Sequence, residues 1–570
     1  MKDQFKSFEK FTREETYFIS PFFTNLDRNI FAAFYLPSEV LGALASRYSR
    51  STKGVRRLFF DEYIRPILEP DLEGVDKKSV REAETMRKEL LSLVDYLHKH
   101  GGWETVVNSR RARDFFAKWL AAYGDDSIAQ MAGAHIFCEN ISQVAVKTLE
   151  DFRIGFAPLE KSTRYVAFDK KVNGRWPYFI EPDLLKLKSG ASYKKHMNML
   201  FDKYAAFFPR LFKFFEKNYP KENDQSERAY LSTINAKTCD VLRTYLPAAT
   251  LTNVGFFGVG QAFEYVITKC LASPLSEIRS IAKEIQRELN KVIPSMVGRA
   301  TSERGKIYQR YVRSTDRDLE KLAYRSLVEV KPHMRYNLEN PLVDLVEWDS
   351  DAEDKIVASL LYKYARISYS QIKESVSQLT PSEKLSIIKK AVAKRQVRQH
   401  RIVRAFENTY YKFDIVANFG AYRDLHRHRM QTQERQRFTT ELGYDVPAEL
   451  KEAKMDKPYV EASQMIDRLY RKMKPVMPNQ AQYVVMMGHK IRWYQWQNLR
   501  ELCWEAELRT GPQGHLDYRK IEQEKVSLVK KVHPTLVEAL KFVDFRSYDL
   551  ARRESEKRID KKLGLMKLRG

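Results

Sequence analysis

The clearest pattern of apolar and polar positions predicts a helix that begins after residue 380. Thr380 is a capping residue, Pro381 suits the first helical position, and Glu383 completes a capping box. The apolar residues that follow recur at helical spacing, at positions 385, 388 and 391. A similar stripe at positions 521, 528 and 532 predicts a second helix that ends before Pro534.

Two other segments favour strands. Residues 164–168 and 410–416 are rich in aromatic and β-branched side chains, which suit a pleated surface. The last twenty residues are highly charged and predict a frayed helix.

A repeat on the scale of a whole domain organises these elements. In each half of the chain an apolar segment leads into a charged motif, and a helical stretch ends near a proline, Pro294 or Pro534. This pattern predicts two related domains, with a boundary between residues 330 and 345. We place the first domain at residues 1–335 and the second at 336–570.

Composition restricts the classes of function. The chain has 570 residues, 43% of them hydrophobic, and a net charge of +25, which favours anionic partners such as nucleotides, phosphorylated cofactors, nucleic acid or acidic membrane. The four cysteines form no C-x-x-C pair or metal-site spacing, so we expect a reducing, cytoplasmic compartment. We find no signal-peptide pattern at the N-terminus and no apolar run of the roughly 20 residues that a membrane span needs.

The densest charged motif is the segment from Arg427 to Arg437, which predicts a cationic strand or turn. Arginine forks suit phosphate groups or the polar edge of a flavin. Two other readings stay open for this segment on charge alone. It can be a solvated basic face, or a nucleic-acid patch with nearby tyrosines at positions 410, 411 and 422 as stacking partners.

The context of this motif resembles the flavin-dependent thymidylate synthases. Arg427-His428-Arg429 is similar to the family's R-H-R, which seven residues and a serine follow, although Arg437 stands at the serine position. Ala405-Phe406-Glu407 resembles the family's F-E-H segment, with Asn408 in place of the histidine. Asn498-Leu499-Arg500 resembles its N-x-R motif, and Arg509 follows at the family's spacing.

The first half supplies the part of the signature that the second half lacks. Residues 160–165, which include Glu160, Ser162 and Arg164, resemble the family's nucleotide-binding E-x-S-x-R-Y. Arg243-Thr244-Tyr245-Leu246-Pro247 resembles its R-x-x-L-P, where the second half has Gln482. Conversely, glycines replace N-x-R in the first half, and Lys269 replaces the uracil-binding arginine. The resemblance covers about two-thirds of the chain and is weak over residues 1–110 and 170–230, where we expect an insertion.

This complementary loss implies a composite site made by unlike halves. Family active sites form between subunits of a homotetramer, so we expect a dimer of tandem chains that mimics the tetramer. The resemblance implies an α/β (α+β) fold in which each domain has a mostly antiparallel sheet with helices. The alternative is that both halves decayed independently and the protein only binds nucleotide or nucleic acid, which the charge of +25 fits slightly better.

The resemblance also implies a reaction and a set of roles. The family transfers a methylene group from methylenetetrahydrofolate to dUMP and reduces it with FAD, which NADPH recharges; it needs no enzyme nucleophile. The residues expected to bind FAD are Glu407, Arg427, His428, Arg429, Asn498 and Arg500. Those expected to bind dUMP are Glu160, Ser162, Arg164, Arg243 and Arg509, with Arg509 and Ser162 in catalytic roles. A flavoenzyme that alkylates a different pyrimidine, within a polynucleotide, is a further alternative.

Other motifs carry weaker signals. Gly255, Gly258 and Gly260 lack the third glycine of a dinucleotide-binding loop. His426 and His428 have no third metal ligand, and neighbouring arginines would repel a cation, so we expect no metal. His515 is expected in a loop near Arg509.

Overall fold

The computed structural model describes residues 5–100, 127–186, 189–327 and 342–567. The chain folds into two compact units. Unit 1 comprises Met1–Lys194 and Ala248–Pro332, and unit 2 comprises Lys195–Pro247 and His333–Gly570. Unit 2 therefore contains a segment of the first sequence half. The domain boundary at residue 335 stays a prediction, because residues 328–341 lie outside the described part.

Each unit contains one four-stranded antiparallel sheet. In unit 1 the strands are β1 (Ile30–Ala33), β2 (Gly133–Ser142), β3 (Phe156–Glu160) and β4 (Leu251–Val259), in the order β1-β2-β4-β3. In unit 2 they are β5 (Leu342–Trp348), β6 (Tyr411–Asn418), β7 (Gln431–Arg435) and β8 (Lys490–Gln497), in the order β5-β6-β8-β7. The same strand order in both sheets is what a duplication produces. The expected mixed fold with two antiparallel sheets is confirmed.

Helices form much of the rest of the described chain. Those that begin before the second sheet are α1 (Arg13–Ile19), α2 (Ser38–Tyr48), α3 (Val55–Phe59), α4 (Arg65–Leu68), α5 (Lys77–His100), α6 (Gln143–Glu150), α7 (Ser189–Asn218), α8 (Glu227–Leu242), α9 (Gly260–Leu271), α10 (Ser276–Leu289), α11 (Pro294–Val297) and α12 (Glu303–Leu327). The later ones are α13 (Ala352–Tyr362), α14 (Tyr369–Ser377), α15 (Pro381–Val392), α16 (Phe419–Leu425), α17 (Ala448–Glu452), α18 (Asp456–Met473), α19 (Leu499–Arg509), α20 (Leu516–Val532) and α21 (Arg553–Lys567).

The two helix predictions are confirmed. Helix α15 begins at Pro381, and the Thr380 side chain accepts a hydrogen bond from the Glu383 backbone N–H to form the capping box. Helix α20 ends at Val532, two residues before Pro534. The charged C-terminal segment is helical over α21.

One strand prediction is confirmed and the other is wrong. Residues 411–418 form β6, in which buried and partly buried side chains alternate over residues 411–414 and the last four residues are all buried. Residues 164–168 form no strand, because a turn at residues 163–165 leads into irregular chain. The Ser162 hydroxyl accepts from the Arg164 backbone N–H at 3.2 Å, and the Ser162 carbonyl accepts from the Val166 N–H at 3.2 Å. These local bonds use the backbone groups that a neighbouring strand would need.

The four cysteines lie in the described ranges, where they are buried and form no disulfide. Burial raises the pKa of the Cys138, Cys270 and Cys503 thiols, so these side chains stay protonated at neutral pH. They behave as small apolar residues of the core.

Candidate active site

The R-H-R motif lies at a turn between α16 and β7 in unit 2. Helix α16 begins where the Asn418 side chain accepts from the Ala421 N–H, and it ends at Leu425. The His428 N–H donates to the Leu425 carbonyl at 3.3 Å, which closes the turn. The turn buries His428 to 5% exposure and leaves Arg429 exposed. The expected strand or turn is therefore found, with its central histidine facing inward.

The structure brings His428 together with Arg509, the last residue of α19. The Arg509 Nε donates to His428 Nε2 at 2.9 Å, and His428 Nδ1 lies 3.2 Å from Glu501 Oε1. Because an arginine can only donate, His428 Nε2 must accept, and the ring proton lies on Nδ1 and points to Glu501. Two residues predicted from separate motifs thus form one hydrogen-bonded group.

A buried ionic cluster lies behind this pair, and the sequence analysis did not identify it. Lys525 Nζ is 3.0 Å from both Glu505 Oε2 and Glu522 Oε1 and donates to Gln495 Oε1 at 2.9 Å. Gln497 Nε2 donates to Glu505 at 3.1 Å. His428 Nε2 lies 4.0 Å from Glu505 Oε1. The sequence did carry one signal for this cluster, which is the pair of charged residues at positions 522 and 525 of α20, beside the apolar and buried Ile521 and Val526.

This cluster predicts a specific pH dependence. Burial raises the pKa of Glu522 to about 8, and the charge of Glu505 adds to the rise. The folded state therefore binds this proton more tightly than the unfolded state does. This tighter binding stabilises the folded state fully below about pH 4.5, and the stabilisation is lost as the pH rises to about 8. Over this range the free energy of unfolding falls by at most about 1.4 kcal/mol per pH unit.

Replacing Glu522 with glutamine should flatten the stability profile between pH 5 and 8. The measurement is the midpoint of urea unfolding of both proteins across this range. The exposed Glu524→Gln variant on the same helix should keep the wild-type slope. An unchanged slope in Glu522→Gln would contradict this account.

Three predicted flavin-side residues are engaged with the protein itself. The Asn498 side chain caps α19 by accepting from the Glu501 N–H at 2.9 Å. Arg500 donates to Glu407 at 2.9 Å and to the Ile402 carbonyl at 2.9 Å. The structure thus brings Glu407 and Arg500 together as an ion pair, and their role towards a flavin stays a prediction.

Arg243, from the first sequence half, lies in unit 2 beside α16. Its Nη1 donates to Asp424 Oδ2 at 3.3 Å, and a Cβ built on Gly420 would lie 3.3 Å from its Nε and Nη2. Arg243 is only 2% exposed. Its Nη2 has no hydrogen-bond partner within the described ranges, although it is buried. A buried guanidinium nitrogen in this state is suited to bind an anionic group.

Backbone pairing explains this position. The Met487 N–H donates to the Leu246 carbonyl at 2.8 Å, and the Gly488 N–H donates to the Thr244 carbonyl at 3.1 Å. The segment after Arg243 is therefore joined to the equivalent segment of the second half, which follows Gln482.

The remaining nucleotide-side candidates lie in unit 1. Glu160 is 1% exposed, and it accepts from Lys147 at 3.0 Å and from Gln143 at 2.9 Å. Ser162 accepts from the backbone of Arg164, which is 8% exposed. The roles of Glu160, Ser162 and Arg164 towards a nucleotide stay predictions.

Several other candidates have structural roles. Gly255 and Gly258 let aromatic side chains approach the sheet, because an added Cβ would lie 2.8 Å from Phe137 or Phe156 respectively. The His515 side chain caps α20. Within the described ranges, no cluster of three His, Cys, Asp or Glu residues is arranged to hold a metal, and no helix is long and apolar enough to cross a membrane.

Comparison with known proteins identifies the family. The model of the thymidylate synthase complementing proteins matches residues 73–295 and 345–535, which are two separate segments of the chain. The chain belongs to this family. The family expected from the sequence, in its tandem form, is thereby confirmed.

Relatives of similar length share both halves. A UPF0159 protein of Chlamydia muridarum is 37% identical over 550 residues, which are 96% of this chain and 98% of that protein. One of Chlamydia pneumoniae is 38% identical over 552 residues, with the same coverage. A UPF0159 protein of Thermoplasma acidophilum is 32% identical and covers 80% of this chain. Among solved structures, a UMP/dUMP methylase of Streptomyces cacaoi with bound 5-Br dUMP is 15% identical, covers 35% of this chain and 94% of that chain, and gives a TM-score of 0.29.

Proposed function

We propose that this protein is a flavin-dependent thymidylate synthase that acts at a composite site. It converts dUMP to dTMP with methylenetetrahydrofolate as the carbon donor, and NADPH supplies the electrons that reduce FAD. FAD, when bound, supplies the electrons that reduce the transferred methylene group to a methyl group. The proposal also includes self-association of tandem chains and a cytoplasmic location.

The observation that carries the proposal is the position of Arg243 in unit 2. A nucleotide-side arginine of the first half packs against α16, and the R-H-R motif follows the end of the same helix. Unit 2 thus combines a residue kept only by the first half with the motif kept only by the second. Complementary loss of motifs has a physical reason if the two halves contribute to one site.

The residues around the motif suit a flavin. Gln431 follows the motif on β7 and is 5% exposed, and neither its Nε2 nor its Oε1 has a hydrogen-bond partner among the residues described. Buried polar atoms of this kind need a water or a ligand to pair with them. An isoalloxazine edge presents both donors and acceptors, and the exposed Arg429 can pair with a phosphate. We assign flavin binding to Arg427, His428 and Arg429, supported by Asn498, Arg500 and Glu407.

The protein residues would bind and polarise the nucleotide. Arg243 would hold its phosphate, and we also assign nucleotide binding to Glu160, Ser162 and Arg164. Arg509 would stabilise the negative charge that develops on the uracil ring, while His428 holds the Arg509 side chain in place. Glu501 fixes the tautomer in which His428 accepts that bond.

The test is the visible absorption spectrum of the purified protein with FAD, before and after addition of dUMP. We expect a bound-flavin spectrum that dUMP perturbs, and turnover with methylenetetrahydrofolate. Arg243→Ala should weaken the dUMP response about tenfold or more, because a charge-assisted bond to phosphate is lost. Arg210→Ala, which removes an exposed arginine of α7, should leave the response unchanged.

Two results would contradict the proposal. A protein that stays colourless with FAD has lost the flavin-binding role of Arg427–Arg429. A bound flavin without turnover indicates a degenerate homologue. In either case, oligonucleotide affinity that falls steeply with salt would favour nucleic-acid binding through the basic surface.

A further inference from the structure

One segment of unit 2 carries a dense positive charge that the proposed reaction does not use. Residues 389–404, from the end of α15 into the loop that follows it, contain seven lysine and arginine residues and no aspartate or glutamate. Two of the seven are engaged in ion pairs, Arg395 with Glu507 and Arg404 with Glu407. The other five define a patch that we call the α15 surface: Lys389, Lys390, Lys394, Arg398 and Arg401.

The positive charges of the α15 surface are not compensated by carboxylates. Four of its five residues are exposed, and Arg398 is partly exposed. None of the five makes an ion pair with a carboxylate in the part of the chain that the structure describes. Cationic groups held near one another in this way repel each other and attract anions. Because the charges are spread over a helix end and a loop, a ligand with several anionic groups fits them better than a single phosphate.

The end of α15 does not need these lysines as a cap. Lysines in a last helical turn often bind the unpaired carbonyl groups there. Here the Lys541 ammonium group donates to the Val392 carbonyl at 2.8 Å and to the Ala393 carbonyl at 3.2 Å. The two lysines of the last turn, Lys389 and Lys390, are therefore not required for this purpose and point to a role at the surface.

The buried Arg395 fixes the loop that carries the rest of the surface. Its guanidinium group pairs with both oxygens of Glu507, at 2.9 and 2.6 Å. Its Nε donates to the His400 carbonyl at 2.6 Å. This bond brings the two ends of the loop together, so Arg401, which follows His400, is held near Lys394, which precedes Arg395. The cationic groups are thus presented by an ordered loop.

The α15 surface also contains a stacked guanidinium group. The Arg401 guanidinium carbon lies 4.4 Å from the centre of the Trp504 ring, and that of Arg398 lies 5.7 Å from it. An arginine stacked on an indole is held by attraction to the ring and keeps its planar shape. Arg401 is exposed, so its second face is open to a ligand. Flat arginine faces of this kind stack on nucleobases.

We propose that the α15 surface binds single-stranded nucleic acid. The three lysines and Arg398 would pair with phosphates, and a base would stack on the open face of Arg401. Proteins that bind single strands combine a cationic path with such stacking faces. A lipid surface would use the charges but not the stacked guanidinium group, so the geometry favours nucleic acid. This binding is additional to the proposed synthase activity and depends on neither FAD nor dUMP.

The test is fluorescence anisotropy of labelled oligouridylate and oligothymidylate, each of about 12 nucleotides, titrated with the full chain. We expect both to bind with affinities within about threefold of each other, because charge and stacking do not read the 2′-hydroxyl group. Contacts to about four phosphates predict that the affinity falls about fiftyfold between about 50 and 200 mM salt.

Two variants separate charge from stacking. The triple variant Lys389→Gln, Lys390→Gln and Lys394→Gln should weaken binding at least tenfold in low salt and make it less dependent on salt, because about three phosphate contacts are lost. Arg401→Lys keeps the charge but loses the flat stacking face. It should weaken binding at least fivefold and leave the salt dependence unchanged.

A matched control tests whether net charge alone is responsible. Lys451→Gln with Lys457→Gln and Lys472→Gln removes the same charge from exposed positions of α17 and α18, and this variant should bind as the wild type does. The thermal unfolding midpoint and the response of bound flavin to dUMP should match the wild type in all variants. A protein that binds no flavin would contradict the proposed function and would leave this test unaffected.

Four results would overturn the proposal. They are no binding to either oligonucleotide at about 10 µM protein in low salt, equal losses in both triple variants, and an unchanged affinity in Arg401→Lys. The fourth is tighter binding to phosphatidylserine vesicles than to the oligonucleotides, which would identify a membrane-binding surface instead.

Discussion

Replacing Arg509 with alanine is expected to lower kcat at least a hundredfold while the chain stays folded. The Arg509 Nε donates to His428, so the side chain is held at the end of α19. Its two terminal nitrogens have no hydrogen-bond partner among the residues that the structure describes, which leaves them available to a uracil oxygen. Loss of one such donor to a developing anion costs about 2.7–4 kcal/mol of activation free energy.

The measurement is steady-state turnover of dUMP with FAD, methylenetetrahydrofolate and NADPH. Arg509→Lys keeps the positive charge but loses the planar guanidinium group with its paired N–H donors, so we expect partial activity. Arg366→Ala removes an exposed arginine on another surface and should keep kcat unchanged. Activity of Arg509→Ala within threefold of the wild type would exclude Arg509 from the reaction.

Local sequence signals predicted the parts of the structure that depend on local interactions. The capping box at Thr380 involves residues three apart, so its sequence is enough to place the start of α15. The turn that carries His428 is similarly closed by a bond to Leu425, three residues earlier. The family motifs in both halves indicated the duplication, which the same strand order in the two sheets supports.

The parts that were missed depend on contacts between distant segments. The pairing of residues 244–246 with 487–488 places Arg243 in unit 2, and no local pattern predicts such a pairing. The strand predicted at residues 164–168 had the right composition, but Ser162 uses the backbone groups in a turn. Propensity is a weak signal when a side chain can bond the neighbouring backbone.

The buried cluster around Lys525 is the clearest example of a site that only the fold creates. It joins β8 to α19 and α20 through Gln495, Glu505 and Glu522. Each of these residues is typical of a solvated helix or strand face when seen alone. The antiparallel register that pairs Gln495 with Gln433, and Gln497 with Gln431, places these four glutamine side chains on one face of the sheet.

Replacing Lys525 with methionine is expected to destabilise unit 2 by about 3–5 kcal/mol, because a buried ion pair then loses one partner. Lys525 is fully buried. Burial acts to raise the pKa of Glu505, but Lys525, together with His428 and Arg509, lowers it. Without this ammonium group, Glu505 is a buried carboxylate that must take up a proton or unfold its surroundings. His428 lies beside Glu505, so the loss should also loosen the Arg509 contact.

Hydrogen exchange of peptides from β8, α19 and α20 measures this loss of stability in unit 2. A local measurement is needed because the two units need not unfold together. Lys531→Met on the exposed face of the same helix should change the opening free energy by less than about 0.5 kcal/mol. The triple variant Lys525→Met, Glu505→Gln and Glu522→Gln should recover much of the loss, because no buried charge remains. Wild-type protection from exchange in Lys525→Met would show that the cluster does not stabilise the fold. If Lys525→Met loses protection and the triple variant does not regain it, the cluster stabilises the fold through packing and not through charge.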